Sequence, residues 1–328
     1  MSALRQRLHA PSSRGAQRVG ARLLGVVLCA AAVAGVLGAS GCGAGGAATH
    51  EGALDVVATE SFLADIAQNV AGERFTVRPL IPLGADPHAF EPTPKDVAAV
   101  ARADLVIING GGLEGPLLDT LKNAGGSATI VDASAGLRSR TPQPGEPPLA
   151  AGQIDPHFWL DPALVQTYVT NIRDAFVKAD PDGAAVYATN AAAYTATLKQ
   201  LDDWIETQVA AIPPQDRRLV MNHASHGYFA DRYGFQVVGT VIPSVGTSES
   251  PTAQQLGDLT AAIRASAAKA IFVEIDENPQ LAQQIAAETG VTVVTDLLDH
   301  SLTAAGGDAP TYVDMMKYDT RRIVEALK

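Results

Sequence analysis

The chain has 328 residues, 47% of them hydrophobic, and a formal net charge of −11. That length is enough for two ordinary domains, and the apolar content is normal for a packed globular protein. The acidic balance argues against nucleic acid or an anionic lipid surface as a partner. It is compatible with a cationic ligand.

Residues 1–41 read as an export signal of lipoprotein type. Arg5, Arg7, Arg14, Arg18 and Arg22 precede the apolar run "LLGVVLCAAAVAGVLGA", with no acid among them. The run is short for a membrane span, and no charged stop follows it. Behind it, "ASGC" (Ala39 to Cys42) has the small residues of a bacterial lipobox, with Ala39 where leucine is usual. Cys42 is then the expected lipidation site, a membrane anchor on the outer face of the cell membrane. The alternative is a soluble exported protein cut near the same place. Removing the five arginines takes the net charge from −11 to −16. No cysteine follows Cys42, so the exported chain forms no internal disulfide and relies on its core. Residues 42–53 read as a flexible tether.

Four apolar runs come next, at 54–59, 76–81, 104–109 and 128–132. Four more lie at 219–222, 236–241, 270–274 and 291–295. Helical patterns separate most of them, which predicts parallel strands with helices on the faces. The expected architecture is α/β: two lobes, each with a roughly four-stranded parallel sheet, at 54–180 and 213–328. Between them, apolar residues at steps of three and four from Tyr194 to Ile212 predict one long helix over 181–212, ended by Pro213-Pro214. Such a helix is long enough to serve as a rigid spine for both lobes. Thr93-Pro94, Asp161-Pro162, Asp180-Pro181, Ser250-Pro251 and Asn278-Pro279 each read as a helix cap followed by proline. Gly290 reads as a helix stop. The glycine- and proline-rich stretch 134–153 reads as a surface loop.

Beyond the signal and tether, five histidines remain. His88 follows the strand ending near Ile81, in "GADPHAFEP". His157 is held between two Asp-Pro pairs in "DPHFWLDP". His223 follows "LVMN" directly, and Asp296 follows "VTVVT". Parallel sheets open their binding crevice at the carboxyl ends of their strands. These four residues, two from each lobe, are expected to face one cleft. Three imidazoles and a carboxylate make a plausible zinc site, and stiff Asp-Pro-His turns place a ligand in advance of binding. Asp86, Asp155 and Asp161 are candidate acceptors for the far ring nitrogens. His226 is expected to pack beside the site or to replace His223. Glu274 is a supporting or alternative oxygen ligand, and His300 is expected to be solvated. Phe158 and Trp159 read as lobe packing.

"GADPHAFEPTPKDV", "DPHFWLDP", "NHASHGYFADRYGF", "AIFVEIDENPQLAQQIAAETGV", "VVTDLL" and "TYVDMMKYDTRRIVEAL" occur in that order. Together they resemble the cluster A-I, or ZnuA/TroA-like, solute-binding proteins of ABC metal importers, over about residues 54–327. The resemblance implies two α/β lobes on a rigid helix, with one metal between them. The residues matching the family's ligands are His88, His157, His223 and Asp296. Members preferring manganese tend to have glutamate at the third position, so His223 favours Zn²⁺, with Mn²⁺ or Fe²⁺ as alternatives. The implied partners are an ABC permease and its cytoplasmic ATPase, and the protein is expected to be a monomer. Some zinc-binding members carry a histidine-rich loop between the first two ligands; "RTPQPGEPPLAAGQ" here has none. His226 also departs from the family, which usually has an aromatic there. The expectation is capture and handover rather than catalysis. A zinc hydrolase with Glu274 as base is disfavoured by the lack of an H-E-x-x-H motif. An adhesive surface role is a third possibility, which rests on patches that sequence does not display.

Overall fold

The structure, a computed structural model, describes residues 54–123 and 126–328. The signal, Cys42 and the tether before Leu54 lie outside the described residues. Two four-stranded parallel sheets organise the rest. The first contains β1 (Val56–Ala58), β2 (Val77–Pro79), β3 (Leu105–Ile108) and β4 (Thr129–Asp132), in the order β2-β1-β3-β4. The second contains β5 (Arg218–Met221), β6 (Gln236–Thr240), β7 (Ala270–Glu274) and β8 (Thr292–Leu297), in the order β6-β5-β7-β8. The strand order is the same in both sheets. Each expected strand is present to within a few residues.

Side-chain alternation shows how the sheets are covered. In β3, Leu105 and Ile107 join the main core, while Val106 and Ile108 join a smaller one on the opposite face. In β7, Ala270 and Phe272 join that same main core, and Ile271 and Val273 face a third cluster. Strands buried on both faces read as continuous apolar runs, which is why "LVII" and "AIFVE" stand out in the sequence. The outer faces are covered by α2 (Pro94–Arg102) and α3 (Gly115–Asn123) on one sheet, and by α7 (Ala253–Ser266) and α8 (Gln280–Thr289) on the other.

The main core is continuous between the sheets. It is filled by α1 (Ser61–Ala71), α4 (Pro162–Ala179), α5 (Ala184–Val209) and α9 (Tyr312–Leu327), with α6 (Gly227–Tyr233) beside them. Helix α5 has 26 residues, which makes it about 39 Å long. A short 3₁₀ turn at Pro181–Gly183 precedes it. Its buried face runs Tyr187, Ala191, Tyr194, Leu198, Leu201, Ile205 and Val209, in steps of three and four. It packs against α1, α4 and α9. Each fully buried leucine or isoleucine there contributes roughly 1.5–3 kcal/mol. A core shared this way opposes independent swinging of the sheets.

The capping residues act largely as their sequence suggests. Thr93 accepts from the Asp96 amide in a reciprocal capping box, and the Asp161 carboxylate accepts from Ala163 N at 2.8 Å. Helix α7 starts later than Ser250-Pro251 suggests, because Thr252 with Gln255 forms a full capping box two residues on. Gly290 ends α8 in the left-handed conformation. Among the described residues, no helix is long and apolar enough to cross a membrane.

Candidate metal centre

Four imidazoles meet where the carboxyl ends of both sheets converge: His88, His157, His223 and His300. His88 lies in the loop after β2. Its amide donates to Asp86 Oδ1 at 2.8 Å, and Thr247 Oγ1 donates to Asp86 Oδ2 at 2.5 Å. His157 starts the 3₁₀ turn Phe158–Leu160. Asp155 Oδ1 accepts from both its amide (3.2 Å) and its Nδ1 (2.9 Å). The ring is thereby fixed with Nδ1 protonated and Nε2 free. Asp161 caps α4 on the far side, so the two Asp-Pro pairs clamp the short segment that carries His157. His223 follows β5 by two residues, and His300 lies in the loop after β8.

The Nε2 atoms of His88 and His157 are 3.3 Å apart, and those of His223 and His157 are 3.4 Å apart. Two nitrogens bound to one tetrahedral ion at about 2.0–2.1 Å stand about 3.3–3.4 Å apart. The His300 ring lies 5.2 Å from that of His88 and 5.0 Å from that of His223, centroid to centroid. One donor atom from each of the four rings falls within 4.8 Å of the others.

Carboxylates stand behind three of the four rings. Asp155 supports His157. Glu274 Oε1 is 3.0 Å from His223 Nδ1, but out of line, so that this nitrogen has no hydrogen-bond partner among the described residues. His300 Nδ1 lies 3.4 Å from Asp299 Oδ1 and 3.6 Å from Asp276 Oδ2. Both nitrogens of His300, both oxygens of Asp299 and Glu274 Oε2 are buried without hydrogen-bond partners among the described residues. Buried polar atoms left unpaired are costly. A cation among these rings would give the nitrogens a partner and the carboxylates a counter-charge.

The electrostatics divide the four rings. Burial, then the neighbouring imidazoles, push His88 and His157 well below the ordinary histidine range. Burial and His300 push His223 down to about 4. These three rings are neutral at pH 7, the form that coordinates. His300 differs: burial opposes its charge, but Asp299, Asp276 and Glu274 outweigh that and raise it to about 10. Burial raises Glu274 and Asp299 to about 7.

Asp296 is not at this centre. Strand β8 does not stop at Thr295 but runs on to Leu297, which places Asp296 inside the strand. Its carboxylate accepts from Arg322 Nε and Tyr318 OH, both at 3.0 Å, and its side chain is 36% exposed. The expectation of a fourth ligand at Asp296 is therefore corrected: the loop beyond the true strand end brings in Asp299 and His300. His300 is also not solvated as expected; it is 3% exposed. Leu297, Leu298 and Leu302, all buried, flank it and draw the loop inward. The apolar residues around "DHS" were the available signal. His226 is buried, with Nδ1 2.8 Å from Ser225 Oγ, and stands outside the group of four. Asp86 and Asp161 bind backbone amides rather than ring nitrogens.

A cavity of about 520 Å³ opens onto His88, the one ring of the four that is not fully buried. Gly111, Gly112, Ile154 and Pro156 line one part and Ser244 and Gly246 another. Trp159 packs behind His157, with ring centroids 5.1 Å apart. It stacks on Phe62 at 4.6 Å and donates from Nε1 to the Asp299 carbonyl at 2.6 Å.

Comparison with known proteins identifies the family of the chain. The family model described as "ZnuA: Zinc-uptake complex component A periplasmic" matches residues 56–326. The manganese-binding lipoprotein MntA of Halalkalibacterium halodurans is 35% identical over 291 residues, covering 88% of this chain and 94% of its own. The manganese ABC transporter substrate-binding lipoprotein PsaA of Streptococcus pneumoniae is 30% identical over 282 residues, covering 84% and 89%. The periplasmic zinc-binding protein TroA of Treponema pallidum superposes with a TM-score of 0.75 at 28% identity, covering 83% of this chain and 98% of its own. The chain therefore belongs to the ZnuA/TroA family, the metal-binding solute receptors of ABC importers.

Proposed function

We propose that this receptor captures Zn²⁺ outside the cytoplasm through His88, His157, His223 and His300 and passes it to a membrane permease powered by an ATPase. A lipid on Cys42 would hold it, as a monomer, at the outer face of the membrane. The observation that carries the metal assignment is the convergence of imidazole nitrogens at tetrahedral spacing. Imidazole suits zinc, whereas Mn²⁺ favours oxygen donors. The carboxylates Glu274, Asp276 and Asp299 would act from behind the rings, offsetting the ion's charge and orienting the ligands. Four protein ligands leave no position for an activated water, which fits binding and release rather than hydrolysis. Glu274 faces the Nδ1 side of His223, away from the convergent Nε2 atoms, and is badly placed as a base.

The manganese-binding names of the relatives favour a second reading, the same role with Mn²⁺. Titration of the metal-stripped protein against a chromophoric chelator separates the two. Zinc should bind at one equivalent and resist competition by a large excess of Mn²⁺. Tighter uptake of Mn²⁺ than of Zn²⁺ would overturn the zinc assignment, and uptake of neither would overturn the site.

A further inference from the structure

The loop between β4 and His157 contains no histidine, yet it is closely engaged. Ser139 and Asp155 close its neck: the Asp155 amide donates to Ser139 Oγ at 3.0 Å. The residues between form a compact loop with joined ends, and that loop lies against the second sheet. Gln143 Oε1 accepts from Val237 N at 2.9 Å, and its Nε2 donates to Asp231 Oδ1 at 2.8 Å and to Phe235 O at 3.2 Å. Strand β6 is an edge strand, so Gln143 satisfies main-chain groups that would otherwise be open. Gly145 lies so close that a Cβ there would fall 2.0 Å from Val237 O.

Arg140 holds this strap. Its side chain is 6% exposed. It donates to both oxygens of Glu146, at 2.8 and 2.7 Å, and from Nε to Asp231 Oδ2 at 2.7 Å. Its Nη1 is also 3.5 Å from Asp155 Oδ2, while the other oxygen of that carboxylate accepts from His157. Tyr228 of α6 joins the same knot: its OH donates to Asp155 O at 3.0 Å and accepts from Arg140 N at 3.3 Å. A Cβ on Gly227 would fall 2.1 Å from Arg140 Nη1, so this crossing depends on glycine there. At its far end the strap supplies Gly152, Gln153 and Ile154 to the wall of the cavity that opens onto His88.

We infer that Arg140 is a positioning residue for metal retention, tying a strap from the first sheet onto the second while bracing Asp155 beneath His157. This rests on the reading of His157 as a metal ligand. The strap acts as a latch on the site's outer wall. Guanidinium suits this task because its planar fork grips Glu146 with two bonds and still reaches two further carboxylates.

The test is stopped-flow release of Zn²⁺ from the loaded protein into excess chelator, on wild type, Arg140→Gln and Gly145→Ala. Gly145→Ala lifts the strap beside Glu146 while leaving the Arg140 side chain and every ligand in the sequence unchanged. Urea melts of the metal-free forms report any purely structural loss. Both variants should release zinc about tenfold faster or more, and exchange protection of residues 140–154 should rise on zinc loading in wild type only. If both variants bind one equivalent and release it at the wild-type rate, the inference fails whatever the melts show. Acceleration by Arg140→Gln alone would confine the effect to Asp155 and overturn the strap's role. Failure of wild type to bind one equivalent would overturn the underlying metal reading instead.

Discussion

Replacing Asp155 with alanine should weaken zinc binding by about 10- to 100-fold while leaving the protein folded. Asp155 touches no metal position, but its Oδ1 accepts from both the amide and the Nδ1 of His157. Loss of a carboxylate behind a ligating imidazole typically costs 10–100-fold in affinity, which corresponds to about 1.4–2.8 kcal/mol. Asparagine should be milder than alanine, because its amide oxygen still accepts from Nδ1. Chelator competition at neutral pH gives the affinity, and a urea melt of the metal-free protein checks the fold. An Asp155→Ala protein that is folded and binds zinc within twofold of wild type would refute the orienting role and, with it, the explanation of the Asp-Pro-His clamp.

Three further outcomes follow from the same geometry. Asp296→Asn should leave zinc affinity unchanged and cost no more than about 1 kcal/mol, as expected for a partly exposed ion pair; a tenfold loss of affinity would restore Asp296 to the site. Zinc binding at pH 8 should release about one proton, because metal-free His300 holds its proton up to about 10 whereas His223 is already neutral above about 4. Affinity should therefore rise with pH and fall in acid, and calorimetry in buffers of different ionisation enthalpy should find the release abolished in His300→Ala. By the same raised value, the His300 charge stabilises the metal-free fold fully below about 6.5, an effect lost as pH rises through about 10. Trp159→Ala should cost about 3–5 kcal/mol in denaturant unfolding, since the ring is fully buried, stacked on Phe62 and bonded to the Asp299 carbonyl; a loss under about 1 kcal/mol would contradict that account.

What was legible in the sequence follows from locality. Strands such as "LVII" and "AIFVE" are covered on both faces and announce themselves as apolar runs. The long helix shows its buried stripe at steps of three and four, and Asp-Pro pairs mark its neighbours' starts. His88, His157 and His223 lie just past strand or loop boundaries, where side chains point into a parallel sheet's crevice. The fourth position differs from the expectation because it depends on where β8 stops. Two more residues of strand, to Leu297, put Asp296 inside β8 and leave Asp299 and His300 to the loop, and periodicity does not fix strand ends. His300 lies in a polar-looking loop that is buried only because it meets the first half of the molecule, where Ser301 Oγ accepts from Gly84 N and Leu302 N donates to Ser61 Oγ. The strap looks like a surface loop in sequence for the same reason. Its anchors, Asp231 and Val237, are about ninety residues away in the chain, and no local pattern encodes such a contact.

X-ray absorption at the zinc K-edge of the loaded protein reads the ligand set itself. Four nitrogen neighbours at about 2.0–2.1 Å are expected, with outer-shell scattering from four imidazoles that falls to three in His300→Ala. A first shell containing a carboxylate oxygen, or fewer than four imidazoles in the wild type, would contradict the four-histidine site.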